Sequence, residues 1–413
     1  MNVKFTILLP LLCSGSFFLF GQNYEWTFYN SDNSPLPENT VRCMTMDSNG
    51  DYWFGTDFGL AFYDGTNWTV YTTSNSPLTD NAIRSLEFDA SGTLWIGTTQ
   101  SGIFTFDMSN WSVFDPSNSG LPDYFIRSIK KDLLGAMWIG TVEGLARYDS
   151  GNWTVWTVEG NGLNSNNISC IAVDDANRKY IGTINGGLLY LQNETITEYT
   201  IIEGGIPDNS AIGIAIGNEG LPWFASPSGG LYTDDGTQTW TSYNMSNSGI
   251  PTNSLTSILI DSDNSLLLGS TEHGLIRLTL PDNWEILDTS NSELPDNHIL
   301  CLMQDPDGSI WAGTSMAGVV KIKKTAQLND QLTQHNKLLF PNPTDGLVHL
   351  DADFKSDCTE LVIGTQDGKL LQTLNKADLS QMDYLNLLDL PSGIYLLHIL
   401  TSNYSTVIRI LKN

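Results

Sequence analysis

The apolar positions of this chain come in short runs, too brief for helices and separated by Asn, Asp, Ser, Pro and Gly. From about residue 24 to residue 324 the runs repeat. The segments WFGT, WIGT, WIGT, YIGT, WFAS, LLGS and WAGT place Gly55, Gly97, Gly140, Gly182, Ala225, Gly269 and Gly313 in one column, with spacings of 42, 43, 42, 43, 44 and 44 residues. Each unit opens with an apolar strand such as VRCMTM and a turn that starts at Asp47, Asp89, Asp132, Asp174, Asp261 or Asp305, with Gly217 as the exception. Three residues on stand Gly50, Gly92, Gly135, Asn177, Gly220, Asn264 and Gly308. Gly and Asn alone recur there, as a hairpin position with positive φ requires. The W-I-G-T strand follows, then a Gly-containing loop, a third strand such as GLAFYD and a fourth such as WTVY.

Four short strands in a period near 43 residues predict the blades of a β-propeller, and seven units predict a ring. The last unit runs out into Lys321 to Lys324 without a fourth strand. The segment Glu25-Trp26-Thr27-Phe28-Tyr29 is a spare copy of that strand and is expected to close the seventh blade, which removes the unpaired edge. The 12 tryptophans suggest a sugar-stacking platform, but eleven fall in two strand columns and Trp156 takes the last aromatic place of its fourth strand, and such repetition points to packing between blades. Cys43, Cys170 and Cys301 share a slot that holds Ser85, Ser128, Gly213 and Ser257 in other units. They read as small, buried, free thiols.

Composition narrows the function classes. With 46 acidic against 19 basic side chains and a net charge of -27, the chain repels phosphate backbones, which excludes a general nucleic-acid binder. Lys4 precedes an apolar stretch from Phe5 to Phe20 that ends at Gly21-Gln22, so residues 1–21 read as a secretory signal peptide. No later run reaches the ~18 residues a membrane span needs, and no transmembrane segment is expected in the mature chain. The propeller is placed at 22–324 and a polar linker at 325–336. Residues 337–413, with short runs such as ELVIG and GIYLLHIL between Pro, Gly, Asp and Ser, predict a small Ig-like β-sandwich. The expected fold is all-β throughout.

The units, with the pattern N-x-V/I-R-S followed by D-x-x-G-x-x-W-I-G-T-x-x-G-L, resemble the two-component regulator propeller repeat. The resemblance covers Tyr24 to about Lys324. That family occurs in the periplasmic sensor portions of bacterial hybrid histidine kinases and implies ligand sensing, often of glycans. Such sensors carry two propellers, a further β-domain, a membrane span and a kinase; this sequence has one propeller. The segments Pro341-Asn342-Pro343-Thr344-Asp345-Gly346 and Leu390-Pro391-Ser392-Gly393-Ile394-Tyr395, with the terminal strand ending near Lys412, resemble the type A sorting domain of the type IX secretion system. That resemblance implies a Bacteroidota-like bacterium, export to the outer surface or medium, and the secretion machinery as a partner. It makes the domain an address, with no chemistry expected of His349, His398 or Cys358.

Sites are sought where the repeat breaks. The loops from fourth to first strands repeat as SDNSPLPEN or TSNSELPDN, with Asn39, Asn81, Tyr124, Asn167, Asn209, Asn253 and Asn297 in one column, and read as fixed turns. Arg42, Arg84 and Arg127 occupy one inner-strand position on three consecutive blades, where the other four have Ser169, Ile212, Thr256 and Leu300. Three guanidinium groups at a funnel mouth suit a carboxylate or sulfate; pairing with nearby acids, or the family's usual Arg, is the structural alternative. Asp57, Phe58 and Tyr124 are off-register groups able to orient and stack a sugar. His273 and Glu272 beside His298 are the candidates for catalysis, and with a divalent metal they would suit a polysaccharide lyase. No phosphate-cradling loop, nucleophile elbow or zinc spacing is present, so no cofactor and no resident metal is expected. The leading expectation is a secreted or cell-surface module that binds a glycan, possibly an anionic one, or a protein on its funnel face; a propeller-type lyase and a non-catalytic interaction scaffold are the alternatives.

Overall fold

The structure is a computed structural model that describes residues 24–324, apart from 162, 193–194, 203–204, 219 and 236–238, and, beyond these, 339–340, 344, 346–350, 358–365, 369–382, 384–401 and 405–412. The expected signal peptide and linker lie outside the described residues. The chain divides between Lys323 and Lys324 into two compact units, and the fold is all-β and propeller-like.

Among the described residues, the first unit holds seven four-stranded antiparallel sheets. Six are built from four consecutive strands, as in Val41–Met46, Tyr52–Thr56, Gly59–Tyr63 and Trp68–Tyr71. The seventh consists of Ile299–Gln304, Ile310–Thr314, Val319–Lys324 and, on its outer edge, the N-terminal strand Tyr24–Tyr29. The spare strand thus sits where the last unit lacked one. Its Trp26 and Phe28 pack with Ile310 and Ile322. First strands of successive sheets lie against each other in series, and that of the seventh lies against that of the first.

The Gly column follows from this register. Gly55 faces Cys43, Gly97 faces Ser85, Gly140 faces Ser128, Gly182 faces Cys170, Gly269 faces Ser257 and Gly313 faces Cys301. A Cβ on Gly55 would sit 2.4 Å from Cys43 Sγ, and one on Gly140 would sit 2.6 Å from Ile168 Cγ2. Close approach of strands therefore demands the glycine and a small neighbour together. The fifth sheet exchanges the two, with Ala225 opposite Gly213. The cysteines in this slot are free thiols, and burial pushes those of Cys170 and Cys301 up to about 12.

Hairpin chemistry fixes the tryptophans. Asp132 Oδ1 accepts from Leu134 N and Ala136 N, and its Oδ2 accepts from Trp138 Nε1 at 3.0 Å. Asp89 and Asp305 hold Trp95 and Trp311 in the same way. Gly50, Gly92, Gly135, Asn177, Gly220, Asn264 and Gly308 all adopt positive φ. Trp53 lies against Phe88 and Phe106 of the following sheet, and Trp311 against Tyr52 and Tyr29. These indoles pack the sheets together.

In the second unit, Leu339–Phe340, Leu347–Leu350 and Tyr384–Asn386 form one sheet, and Leu370–Asn375, Cys358–Thr365, Gly393–Thr401 and Ser405–Lys412 form another. Val348, Leu350 and Leu385 of the first share a core with Leu361, Ile363, Leu397 and Ile399 of the second. A short helix, Lys376–Ser380, was not expected from the strand pattern; Asn375 caps it and Asp378 completes a capping box. The Pro391 to Tyr395 motif closes on itself, since Tyr395 OH donates to the Pro391 carbonyl at 2.6 Å. Buried Lys412 donates to the carbonyls of Leu388 and Leu390.

Candidate functional site

In six of the seven sheets one residue sits at a backbone irregularity. The pairing of first and second strands shifts register between Val41 and Cys43, Ile83 and Ser85, Ile126 and Ser128, Ile168 and Cys170, Leu255 and Ser257, and Ile299 and Cys301. The residues caught in these bulges are Arg42, Arg84, Arg127, Ser169, Thr256 and Leu300. A bulge leaves its extra residue out of the ladder and re-aims its side chain. In the fifth sheet the ladder begins at Gly213, and Ile212 just before it donates to Ala225 O at 2.9 Å. Arg42, Arg84, Arg127, Ser169 and Ile212, with Phe125, line one open cavity of about 340 Å³. Structure thus joins the three arginines of the sequence prediction in a single space.

Their partners differ. Arg42 makes a two-pronged bond to Asp57, from Nε to Oδ1 at 3.0 Å and from Nη2 to Oδ2 at 2.7 Å. Arg84 reaches the same carboxylate, Nη1 to Oδ1 at 2.9 Å. Arg127 has no acidic partner among the described residues; its guanidinium lies 5.0 Å from the Phe125 ring centroid. The Nε atoms of Arg84 and Arg127 are buried and find no acceptor. Two of the three cations therefore share one carboxylate, and the third has none. Burial alone would raise the Asp57 pKa, but the Arg42 hydrogen bonds and both guanidinium charges outweigh it and hold the group below the usual carboxylate value. Burial and the neighbouring Arg42 charge lower the Arg84 pKa, and burial and the Arg84 charge lower that of Arg127. Mutual repulsion of this kind is what a bound anion relieves.

Ser169 and Thr256 behave otherwise. Their hydroxyls donate to the carbonyls of Ala211 and Ile299 in the following sheet, so they tie sheets together.

The loop asparagines are structural, with one correction of register. Oδ1 of Asn39, Asn81, Asn209, Asn253 and Asn297 accepts the N–H of the residue eight places back, between 2.8 and 2.9 Å. In the fourth unit Asn166 does this at 2.7 Å, and Asn167, which the sequence alignment put in the column, does not. In the third unit the residue eight places back is Pro116, which has no N–H to give. An asparagine there would have no bond to make. Tyr124 takes its place, and its side chain is 43% exposed. Phe58, next to Asp57, is 60% exposed, and neither ring lines the arginine cavity. Phe125 does, and was missed; the signal was a phenyl ring in the column that elsewhere holds Thr40, Ala82, Asn167, Ser210, Ser254 and His298.

His273, His298 and Glu272 are not assembled into a metal site. No group of three or more His, Cys, Asp or Glu able to hold a metal ion occurs among the described residues. Glu272 is exposed, while His273 is partly buried with its Nδ1 inward and unbonded. The His298 backbone is committed to loop structure, its N–H donating to Asp296 Oδ1 and its carbonyl accepting from Ser315 N. Loop residues adjacent in a repeat alignment need not point at one another.

Comparison with known proteins agrees with this architecture. The chain matches the two component regulator propeller family at residues 35–58, 77–100 and 293–316, and the secretion system C-terminal sorting domain family at 338–413. Among curated proteins, none matches. The extracellular domain of the hybrid two-component system BT3049 from B. thetaiotaomicron is 19% identical with a TM-score of 0.63, covering 94% of this chain and 55% of its own. PorZ, an essential bacterial surface component of the type-IX secretion system of Porphyromonas gingivalis, is 17% identical with a TM-score of 0.59, covering 91% of this chain and 59% of its own. This chain thus spans little more than half of either. Virginiamycin B lyase from Staphylococcus aureus is 15% identical with a TM-score of 0.60, covering 73% of this chain and 99% of its own. At these identities the likeness is one of fold. The sorting domain marks the chain as secreted or cell-surface, and no helix among the described residues is long and apolar enough to cross a membrane.

Proposed function

For a chain of two-component regulator propeller repeats that ends in a type IX secretion sorting domain, we propose a secreted or surface-held binding module. It is a seven-bladed propeller that receives an acidic glycan in its funnel cavity, carried by a removable Ig-like sorting domain and led to export by residues 1–21. One observation carries this reading: three guanidinium groups line a cavity of about 340 Å³, and the one carboxylate beside them pairs with only two, Arg42 and Arg84. Half-buried arginines crowded together without full partners are costly in a structure that has no use for them. An anion from outside offsets that cost by charge-assisted, two-pronged hydrogen bonds. A protein ligand presenting an acidic side chain would use the same chemistry; the cavity's concave shape favours a sugar. The lyase reading rests on fold likeness alone, since the expected His273, His298 and Glu272 form no metal-holding group among the described residues.

A glycan array probed with the purified protein, and with Arg42, Arg84 and Arg127 changed to Ala together, tests the reading. Acidic saccharides are expected to bind and to be lost in the triple variant. Binding that the triple variant keeps would place the ligand elsewhere.

A further inference from the structure

Within the cavity the three arginines are not equivalent, and their differences narrow the ligand class. Arg42 spends Nε and Nη2 on Asp57, so its aligned edge is occupied. Arg84 gives Asp57 only Nη1. The two donors left unmade are Arg84 Nε and Arg127 Nε, both buried, on neighbouring sheets at equivalent bulges. The guanidinium groups that carry these donors line the cavity, and a cation there that lacks a full set of acceptors is a place for an anionic oxygen. Arg84 and Arg127 line one cavity from adjacent sheets and lie close enough for their charges to repel, which suits one shared anion, and Phe125 and Ile212 line the same space.

Charge limits how many anions fit. Asp57 already neutralises one of the three cations, and the chain as a whole carries -27. A polyanion would have its first group attracted and the rest repelled. A ligand with a single acidic group on an otherwise neutral sugar takes the local attraction and avoids most of the long-range penalty.

Resting on the binding reading above, we propose that Arg84 and Arg127 form a subsite for one carboxylate or sulfate of an acidic sugar, with the sugar ring against Phe125 and Ile212. Arg42 and Asp57 form its fixed wall. The preferred ligand is a mostly neutral glycan with isolated acidic residues, and heavily sulfated or polyuronate chains are poor ligands.

Calorimetry on the full protein tests this with glucuronate, glucose 6-sulfate, glucose, and a heavily sulfated polysaccharide. Glucuronate or the sulfate ester is expected to bind at least tenfold more tightly than glucose, and whichever binds identifies the anion. Arg84→Ala and Arg127→Ala should each weaken that binding tenfold or more, while Asp57→Asn, which removes the internal competitor, should tighten it several-fold. At ~10 mM salt, where screening extends only beyond about 30 Å, the polyanion should bind more weakly per acidic group than the monosaccharide. Unchanged melting temperature in Arg127→Ala separates lost binding from lost folding. If an acidic glycan binds but neither Arg84→Ala nor Arg127→Ala weakens it, or if the polyanion is preferred, the subsite is wrong and the funnel reading survives through other residues. If no saccharide binds a folded protein, both fall.

Discussion

Two arcs of the ring use the same backbone device for different ends. In the first three sheets the bulged residue is Arg42, Arg84 or Arg127, whose charge goes into the cavity. In the fourth and sixth it is Ser169 or Thr256, whose hydroxyl is spent on the next sheet's carbonyl; in the fifth and seventh the equivalent place is filled by Ile212 or Leu300. Six of the seven sheets carry the bulge, and the backbone is indifferent to the side chain placed there. A repeat fold can thus vary those positions without disturbing the ladder, and departures from the repeat there carry information about ligand that departures in the Gly or Trp columns do not.

The first way to break this comparison is to strike what the arcs share. Trp95→Ala in the arginine arc and Trp223→Ala in the other should each cost about 3–5 kcal/mol of stability, read by denaturant unfolding. Costs differing by more than a factor of two would mean that the arcs are not built alike. Next in size, Arg127→Ala should weaken acidic-glycan binding by at least about 1.4 kcal/mol, a factor of ten, with no loss of melting temperature. Thr256→Val should do the reverse, losing about 1 kcal/mol of stability through the unmade bond to Ile299 while binding stays as it was.

A finer test concerns the loop asparagine lock. Tyr124→Asn alone should be neutral because Pro116 offers no N–H. Joined to Pro116→Ser it should regain the bond, with a coupling of roughly 0.5–1 kcal/mol in a double-mutant cycle. Additive effects would show that the proline is not what displaced the asparagine. Smallest is the acid limb. Asp57 has a folded pKa below its usual value of about 3.9, so its contribution to stability is complete above that value and lost as pH falls through the lower folded one. Melting temperature in Asp57→Asn should therefore decline less steeply than in the parent as pH falls below about 4; parallel curves would remove Asp57 from the ionised cluster.

Much of this was legible in the sequence because repetition reports geometry. The WxGT column predicted the repeating strands and the cysteine column a slot for a small side chain, although only folding shows that slot to lie opposite the glycines; the positive-φ positions followed from Gly and Asn recurring. The three arginines were visible as departures from the column. Their shared carboxylate was not fully legible: Asp57 stood out, but only folding shows that it bridges Arg42 and Arg84 and leaves Arg127 without an acid. Phe125 was hidden because it precedes the bulge, in a column with no constant residue. Asn166 and Asn167 were indistinguishable by type, and the eight-residue hydrogen bond alone decides between them. The helix at Lys376–Ser380 was masked by the surrounding leucines, although Asn375 and Asp378 carried its capping signal.

The most direct test of the funnel site follows the arginine Nε–H resonances by NMR during titration with an acidic oligosaccharide. Assignment is by loss of each signal in the single Arg→Lys variants. The account predicts that Arg84 and Arg127 Nε–H signals shift and gain protection from exchange, while Arg42, already bound to Asp57, stays in place. A saturable ligand that leaves Arg84 and Arg127 unmoved would contradict it.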